Sequence, residues 1–213
     1  MDRSSRTTRD TYDRIAEHFA STREYAWPET GAFLDGRRGH RGLDLGCGNG
    51  RNAELLADHC ECVVGLDISG ALLAQARQRA VDHAFELELV QGDASRLPFG
   101  ADRFDLVVYV ATLHHLPTVA DRRRSLDELA RVLAPGGRAL VSVWSTAHDR
   151  FDREEGFDTT VDWTLPGGES IPRFYHIYSP DEFDSDLAAS ALSVVESRVS
   201  SGNCYAVVEQ KSP

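Results

Sequence analysis

The chain has 213 residues, of which 41% are apolar, and this size and composition fit a single domain, residues 1–213, with one substantial core. The first ten residues are polar and charged, and no stretch approaches the roughly 20 consecutive apolar residues of a membrane helix. We therefore expect a cytoplasmic protein with no membrane partner. The formal net charge of −11 also argues against nonspecific binding of nucleic acid, because the average surface would repel a polyanion.

The basic residues and the cysteines bear on the host and on redox chemistry. All of the 23 basic residues except Lys211 are arginines, and they face 34 acidic residues, which indicates a GC-rich genome or adaptation to high salt. Of these we favour a halophilic host. The cysteines form no CxxC pair and have no histidine at zinc spacing, so we expect reduced thiols and no metal site. They are Cys47, Cys60, Cys62 and Cys204.

Short apolar runs alternate with longer amphipathic runs, which is typical of an α/β protein with a largely parallel sheet. Residues 10–35 predict one or two helices broken near Trp27 and Pro28, within an N-terminal helical cap of residues 1–40. Residues 145–178 have few periodic features, and we interpret them as a long loop on the substrate side. The predicted strands are 41–46, 61–67, 85–90, 104–110, 138–144, 192–199 and 204–209, and the later helices are 51–59, 70–83, 121–133 and 180–191.

A glycine-rich segment, GLDLGCGNG at residues 42–50, follows Asp44 at the end of the first predicted strand. Glycines at positions 46, 48 and 50 let a nucleotide-bearing ligand approach the backbone closely, since side chains there would collide with it. The G-x-G-x-G spacing lacks the third glycine of the dinucleotide motif, which favours a cofactor without a pyrophosphate.

Two further acids follow the second and third predicted strands. Asp67 lies where an acid accepts hydrogen bonds from ribose hydroxyls in nucleotide-binding βαβ units, although it could instead cap the helix after Ser69. Asp93 lies at the carboxyl end of the sheet, where open α/β folds bind ligands. It could pair with an adenine amine or simply form a turn.

Five segments in order resemble the successive motifs of class I S-adenosylmethionine-dependent methyltransferases: GLDLGCGNG, GLDIS, GDASRLPF, FDLVVYVATLHHL and LAPGGRALVSVW. The resemblance implies an α/β, Rossmann-like fold with a seven-stranded sheet of order 3-2-1-4-5-7-6, an antiparallel seventh strand and helices on both faces. It implies S-adenosyl-L-methionine as the cofactor. The residues it assigns to the cofactor are Asp44, Gly46, Cys47, Gly48 and Gly50 for the methionine part, Asp67 for the ribose, and Asp93 and Ala94 for the adenine. Ile68 and Val110 are further candidates for binding the cofactor.

The flanking segments narrow the resemblance. YDRIAEHFASTREYAWP, LHHL, RFYHIY at 173–178 and GNCYAVVEQK look like the eukaryotic wobble-uridine carboxymethyl methyltransferases over nearly the whole chain. That family implies formation of a methyl ester on a carboxymethyl group of a tRNA anticodon uridine, together with a small zinc-binding activator protein. This sequence departs from the family in its short loop beside RFYHIY, in Cys204 and in its acidic charge.

The residues agree with an oxygen acceptor. A carboxylate, with a pKa of about 4, is ionised at neutral pH and needs no general base to attack a sulfonium methyl group. After the fourth strand the chain reads ATLHH at 111–115 and has no N-P-P-[YF] signature of amine methylation. Orientation of the acceptor in line with the sulfonium would then supply much of the rate.

Candidate residues for the acceptor are two arginines and two histidines. A guanidinium binds a carboxylate through a planar pair of hydrogen bonds, so Arg173 and Arg23 are candidates, although Arg23 could hold the carboxylate of the cofactor and either could form a surface ion pair. His114 and His176 could steer the acceptor, stack on a base or be structural. Tyr12 could close over the cofactor or belong to the core.

The sequence also bears on the partner protein and on other possible functions. The third strand, predicted at 85–90, would lie at a sheet edge, where we expect the activator protein to add a strand and lend the charge that tRNA binding requires. The arginines at 122–124 form either a solvated helix face or a phosphate contact.

The rival functions are a small-molecule O-methyltransferase, a non-catalytic cofactor-binding protein and, on the glycine loop alone, a nicotinamide oxidoreductase. A closed apolar pocket under Trp144 and Trp163 would favour a small molecule, and an open mouth flanked by arginines would favour RNA.

Overall fold

A seven-stranded sheet forms the centre of the computed structural model, which describes residues 4–211. Its order is β3-β2-β1-β4-β5-β9-β8, with β9 antiparallel to β5 and the pairs from β3 to β5 parallel. This confirms the expected order, since β8 and β9 are the sixth and seventh predicted strands. The strands are β1 (Gly39–Leu45), β2 (Cys60–Asp67), β3 (Glu88–Gln91), β4 (Phe104–Val110), β5 (Leu133–Trp144), β6 (Phe157–Thr164), β7 (Ser170–Ile177), β8 (Leu192–Ser200) and β9 (Asn203–Gln210).

Hydroxyl side chains begin most of the helices. Ser4, Ser69, Thr118 and Ser179 each accept a hydrogen bond from a backbone N–H in the first turn, and the predicted break at Pro28 is confirmed as the start of α2. Among the helices of residues 4–211, none is long and apolar enough to span a bilayer. The helices are α1 (Ser5–Thr22), α2 (Pro28–Leu34), α3 (Arg51–Ala57), α4 (Gly70–Asp82), α5 (Val119–Val132) and α6 (Pro180–Ala189).

Helices cover both faces of the sheet, which explains why β4 is apolar without interruption. Val107 and Tyr109 pack in one cluster with α5 and α6, whereas Leu106 and Val108 pack in a second cluster with α2 and α3. Alternate residues of one strand therefore enter different cores, as in buried parallel strands. The buried core holds the carboxyl ends of β1, β2 and β4 side by side.

The third strand is shorter than the sequence predicts. It begins at Glu88 and not at Phe85, because the chain first completes the end of α4: Ala84 has a positive φ of 56° and the N–H of Phe85 donates to the carbonyl of Ala80 at 3.1 Å. Strand β5 begins at Leu133, earlier than the predicted residue 138, so the Pro-Gly-Gly segment that ends the helix lies inside the strand.

The interpretation of residues 145–178 as an irregular loop is wrong over its second half. Strands β6 and β7 form an antiparallel hairpin, paired from Phe157 with Ile177 to Thr164 with Ser170. The pattern was obscured because Arg173, a charged residue, occupies a buried position of β7 in the alternation with Ile171 and Tyr175.

Helix α1 is held between the main sheet and this hairpin. On one side the carboxylate of Asp13 accepts hydrogen bonds from Ser69 Oγ at 2.6 Å and from the N–H of Ala71 at 3.1 Å. On the other side Trp163 Nε1 donates to His18 Nδ1 at 3.0 Å, and Arg14 pairs with Glu169. The cap and the hairpin together form a wall above the carboxyl ends of the central strands.

Replacement of Asp13 by alanine tests this attachment. Loss of its two hydrogen bonds at a partly exposed position should cost roughly 1 kcal/mol, so hydrogen exchange in α1 should accelerate about five- to tenfold while the strands stay protected. The control is Asp10→Ala on the same helix, because Asp10 contacts only Arg6 and Arg9 among the described residues. Equal acceleration in both variants would contradict the attachment.

Candidate functional site

A cavity of about 550 Å³ opens at the carboxyl ends of β1, β2 and β4. The glycine loop forms its floor, Asp67 and Ile68 one side, and Tyr12 of α1 part of the cover. A smaller cavity of about 50 Å³ is lined by Asp93 and Ala94 and shares Gly46, Asp67 and Ile68 with the first. The two form an elongated space with Asp67 at their junction, and Val110 also lines the larger part.

The glycines of the loop are required mainly by packing within the protein. Gly46 has a φ of 78°, and a Cβ there would lie 2.1 Å from Thr112 Oγ1; Gly50 has a φ of 81° and would meet Ala76. Gly50 does not line the cavity, whereas Gly48 does. The expected collision with a ligand thus applies to Gly46 and Gly48, which line the cavity, whereas Gly50 serves the loop's conformation.

Asp67 combines the two roles that the sequence left open. One carboxylate oxygen accepts the N–H of Gly48 at 2.8 Å, and the other accepts the N–H of Ser69 at 2.9 Å, at the start of α4. Burial raises the pKa of Asp67. The carboxylate nevertheless lines both cavities. Asp93 likewise forms a turn, accepting the N–H and Oγ of Ser95 at 2.8 Å, and also lines the smaller cavity.

Asp44 lies behind the glycine loop and does not line the cavity. Its carboxylate is buried, and neither oxygen makes a hydrogen bond of good geometry among residues 4–211. Burial, opposed in part by the nearby backbone N–H of Ala53, raises its pKa to about 7. A positive charge on a ligand in the cavity would favour the ionised form of this buried carboxyl through the loop, without direct contact. S-adenosylmethionine, with an ammonium and a sulfonium group and hydroxyls for Asp67, fits this donor set.

The acceptor side of the cavity is dominated by Arg173. The residue is 9% exposed, its Nε has no hydrogen-bond partner, and no ion pair holds it within the described part of the chain. Its guanidinium lies 4.8 Å from the ring centre of Trp163 and 5.2 Å from that of Tyr175. A buried cation that is fixed by aromatic rings and lacks an anion is a receptor for one.

Two adjacent histidines on the turn Leu113–His115 are neutral. His114 Nδ1 accepts the N–H of Trp144 at 3.0 Å, so its proton lies on Nε2, and burial holds its pKa well below the ordinary value. His115 lies 2.9 Å from the carbonyl of Phe174 through Nδ1 and 2.8 Å from the hydroxyl of Tyr12 through Nε2, and burial lowers its pKa to about 3. We therefore assign the Nδ1–H tautomer to His115, with Tyr12 donating. The pairing of Tyr12 with His115 has no local sequence signal, because the residues are 103 positions apart.

His176 does not reach the cavity, so its candidacy for steering the acceptor was wrong. Along β7, Arg173 and Tyr175 face the cavity, and the next residue points to the opposite side. There His176 lies between two carboxylates, 2.8 Å from Asp158 and 2.9 Å from Glu182, and links the hairpin to α6.

The arginines differ in their surroundings. Arg23 is exposed at the mouth, 5.2 Å from the ring of Trp163, and its carbonyl accepts Asn49 Nδ2 of the glycine loop at 2.8 Å. Arg51 and Arg150, which the sequence analysis missed, also line the cavity. Of the arginines at 122–124, Arg122 is 2% exposed against Tyr178, whereas the next two lie on the solvated face of α5 and pair with Asp186 and Asp121.

Comparison with known proteins places these features in context. The sequence profile of the family described as "Methyltransferase domain" matches residues 43–141. A protein of Encephalitozoon cuniculi that carries the name methyltransferase ECU09_1500 is 34% identical over 93% of this chain and 93% of its own length. The tRNA (carboxymethyluridine(34)-5-O)-methyltransferase of Schizosaccharomyces pombe is 26% identical over 93% of this chain and 94% of its own length. The Arabidopsis thaliana protein of that name is 37% identical over 65% of this chain, which spans only 32% of the plant protein.

Solved structures share the fold. The DhpI complex with SAH has a TM-score of 0.73 at 21% identity and covers 97% of this chain and 96% of its own. A methyltransferase in complex with the Haloferax volcanii Trm112 methyltransferase activator has a TM-score of 0.71 at 19% identity and covers 97% of this chain and 98% of its own.

The orphan carboxylate of Asp44 predicts a pH-dependent stability. In the folded chain this carboxyl has a pKa of about 7, whereas in the unfolded chain its pKa is about 3.9. The native state therefore binds more protons than the unfolded state at pH values between these two pKa values. The stability of the unliganded wild type therefore falls as pH rises through this window. Asp44→Asn lacks this loss, and its free energy of unfolding in urea should improve relative to wild type by about 2–3 kcal/mol between pH 5 and 8.

The matched control for that measurement is Asp35→Asn, because Asp35 is exposed at the end of α2. Its stability difference from wild type should not change over the same range. A pH-independent difference for Asp44→Asn would mean that the buried carboxyl does not titrate as the structure implies.

Proposed function

We propose that this chain, which belongs to the family of S-adenosylmethionine-dependent methyltransferases, forms the methyl ester of a carboxymethyl group on the wobble uridine of tRNA. The reaction class and the cofactor follow from the family. The acceptor is supported by relatives named as tRNA carboxymethyluridine methyltransferases and, above all, by one observation: the buried guanidinium of Arg173, which has no anion of its own.

The elongated cavity suggests how the cofactor is held. We assign the methionine part to Gly46, Cys47 and Gly48, with Asp44 and Gly50 supporting the loop from behind. Asp67 and Ile68 are assigned to the ribose, and Asp93 and Ala94 to the adenine. When bound, the cofactor supplies an electrophilic methyl group on a sulfonium. Val110 and Tyr12 would complete the walls.

Arg23 and Arg173 receive different roles. Arg23 is joined to the glycine loop through Asn49, which favours contact with the carboxylate of the cofactor. Arg173 lies beside Tyr12 and Tyr175 on the acceptor side, where a planar pair of hydrogen bonds can fix the carboxylate of the acceptor. Because this carboxylate is already ionised, no base is needed, and neutral His114 is suited to donating a hydrogen bond from Nε2.

A small-molecule acceptor is the second candidate, since Trp144 and Trp163 give the cavity an apolar side. The mouth favours RNA, because Arg23 and Arg150 are exposed there and lack ion pairs within residues 4–211. A chain with a net charge of −11 that concentrates unpaired arginines at one opening has a local attraction for polyanions.

Nucleoside mass spectrometry of tRNA tests the proposed function. A strain that lacks this gene should lose the methyl ester of carboxymethyluridine and accumulate the free carboxymethyl precursor, and the wild-type gene should restore the ester. Arg173→Gln should fail to restore it, because purified variant should lose at least about 100-fold in kcat/KM when the acceptor charge is left unpaired. The control Arg103→Gln removes an exposed arginine at the start of β4, at the opposite end of the sheet. An unchanged ester in the deletion strain would refute the tRNA assignment.

We also propose that a small zinc-binding methyltransferase activator protein docks on β3. Within residues 4–211 this strand pairs only with β2, so its outer backbone groups are available for strand addition. The expected position at 85–90 moves to Glu88–Gln91 with the observed strand. The structural neighbour solved with the Trm112 activator supports a partner of this kind.

Co-expression with the host's small zinc-binding homologue tests the docking. Glu88→Arg, which reverses an exposed charge on β3, should reduce recovery of the complex at least several-fold. Val195→Arg is the control, since this valine is 53% exposed on the opposite edge strand, β8. A loss confined to Val195→Arg would move the interface to β8. Failure of the wild-type chain to form any complex with the homologue would contradict the proposal.

A further inference from the structure

A second cavity lies on the far side of Arg173. It has a volume of about 240 Å³ and is enclosed between the first half of α1 and the hairpin of β6 and β7. It shares three residues with the larger cavity: Thr8, Tyr12 and Arg173. Because water occupies about 30 Å³ in the liquid, this space accommodates a ring with several substituents and not merely one or two waters.

The lining of this second cavity is rich in hydroxyls. Thr11 of α1 and Thr159 and Thr160 of β6 line it, and their side-chain hydroxyls make no hydrogen bond within the described part of the chain. Pro172 and Phe174 add flat apolar surface. Hydroxyls can donate or accept, so this combination suits a planar ring whose edge carries both donors and acceptors.

The charged residues of the second cavity favour a nucleobase over a phosphate group as its ligand. Asp158 lines the second cavity, and its carboxylate lies 2.8 Å from His176. Among the described residues of this lining Arg173 is the only arginine or lysine, so the cavity lacks the cluster of cations that a phosphate group favours. Arg173 is 9% exposed and lines both cavities. A neutral ring in the second cavity with an anionic arm toward Arg173 satisfies both groups.

We infer that the second cavity binds the base of the acceptor uridine, while its carboxymethyl arm passes Arg173 into the larger cavity. This inference rests on the proposed function and names the part of the protein that recognises the nucleobase. Thr11 and Thr159 contact the polar edge of the uracil ring, and the ring lies against Phe174. Arg173 then holds the arm where the two cavities meet.

Two isosteric variants, Thr11→Val and Thr159→Val, test this inference with an anticodon stem-loop that carries 5-carboxymethyluridine. Each should raise KM about two- to tenfold, as loss of a neutral hydrogen bond predicts, with an unchanged dissociation constant for S-adenosylmethionine. Thr164→Val is the matched control, because Thr164 is exposed on the same strand and does not line the cavity. Unchanged KM for both variants would overturn the inference.

A second substrate identifies what the cavity holds. The same stem-loop with N3-methylated 5-carboxymethyluridine should be a poor acceptor for wild type. The loss of methylation that the N3-methyl group causes, relative to the unmodified stem-loop, should be smaller for Thr11→Val and Thr159→Val than for wild type. An equal loss for wild type and variants would mean that another part of the protein reads the base, or that a neighbouring nucleotide occupies the cavity, and the inference would be wrong. If wild type methylates neither stem-loop, the proposed function itself fails.

Discussion

The carboxylate of Asp67 fixes three elements of the site relative to one another. It ends β2, accepts the N–H of Gly48 from the loop after β1, and accepts the N–H of Ser69 at the start of α4. Ser69 Oγ in turn donates to Asp13, so the same junction carries α1. Because a buried carboxylate must keep its hydrogen bonds, the glycine loop, the helix and the cap cannot shift independently. The shape of the cofactor cavity follows from this junction.

Burial sets the charge states on the two sides of that junction. Asp44 is a carboxyl without a partner, and Arg173 is a guanidinium without an anion. The imidazoles of His114 and His115 stay neutral because their surroundings disfavour the charged form. The cavity therefore presents a fixed positive charge at Arg173 and neutral imidazoles, while the carboxyl of Asp44, with a pKa of about 7, lies behind the glycine loop. Such a site accelerates transfer mainly through position and electrostatics.

The sequence predicts the main sheet well because the relevant signals are local. Apolar runs mark the buried strands, hydroxyl caps mark the helix starts, and Asp67 follows its strand at the spacing of a nucleotide-binding unit. The hairpin of β6 and β7 was missed because Arg173 interrupts the apolar alternation, and that interruption is the buried cation on which the proposed acceptor site depends. His176 was misassigned since it shares a segment with Arg173, and only the two-residue period of a strand separates them.

Long-range contacts account for what the sequence could not supply. Tyr12 meets His115 across 103 positions, and His18 meets Trp163 across 145. Neither pairing has a local pattern, yet these pairings bring α1 against the turn after β4 and against the hairpin, and so form the second cavity. The strongly acidic composition is equally uninformative about the mouth of the site, because net charge averages over a surface on which Arg23 and Arg150 are exposed at a single opening. The partner that an acidic chain admits is decided by that local arrangement.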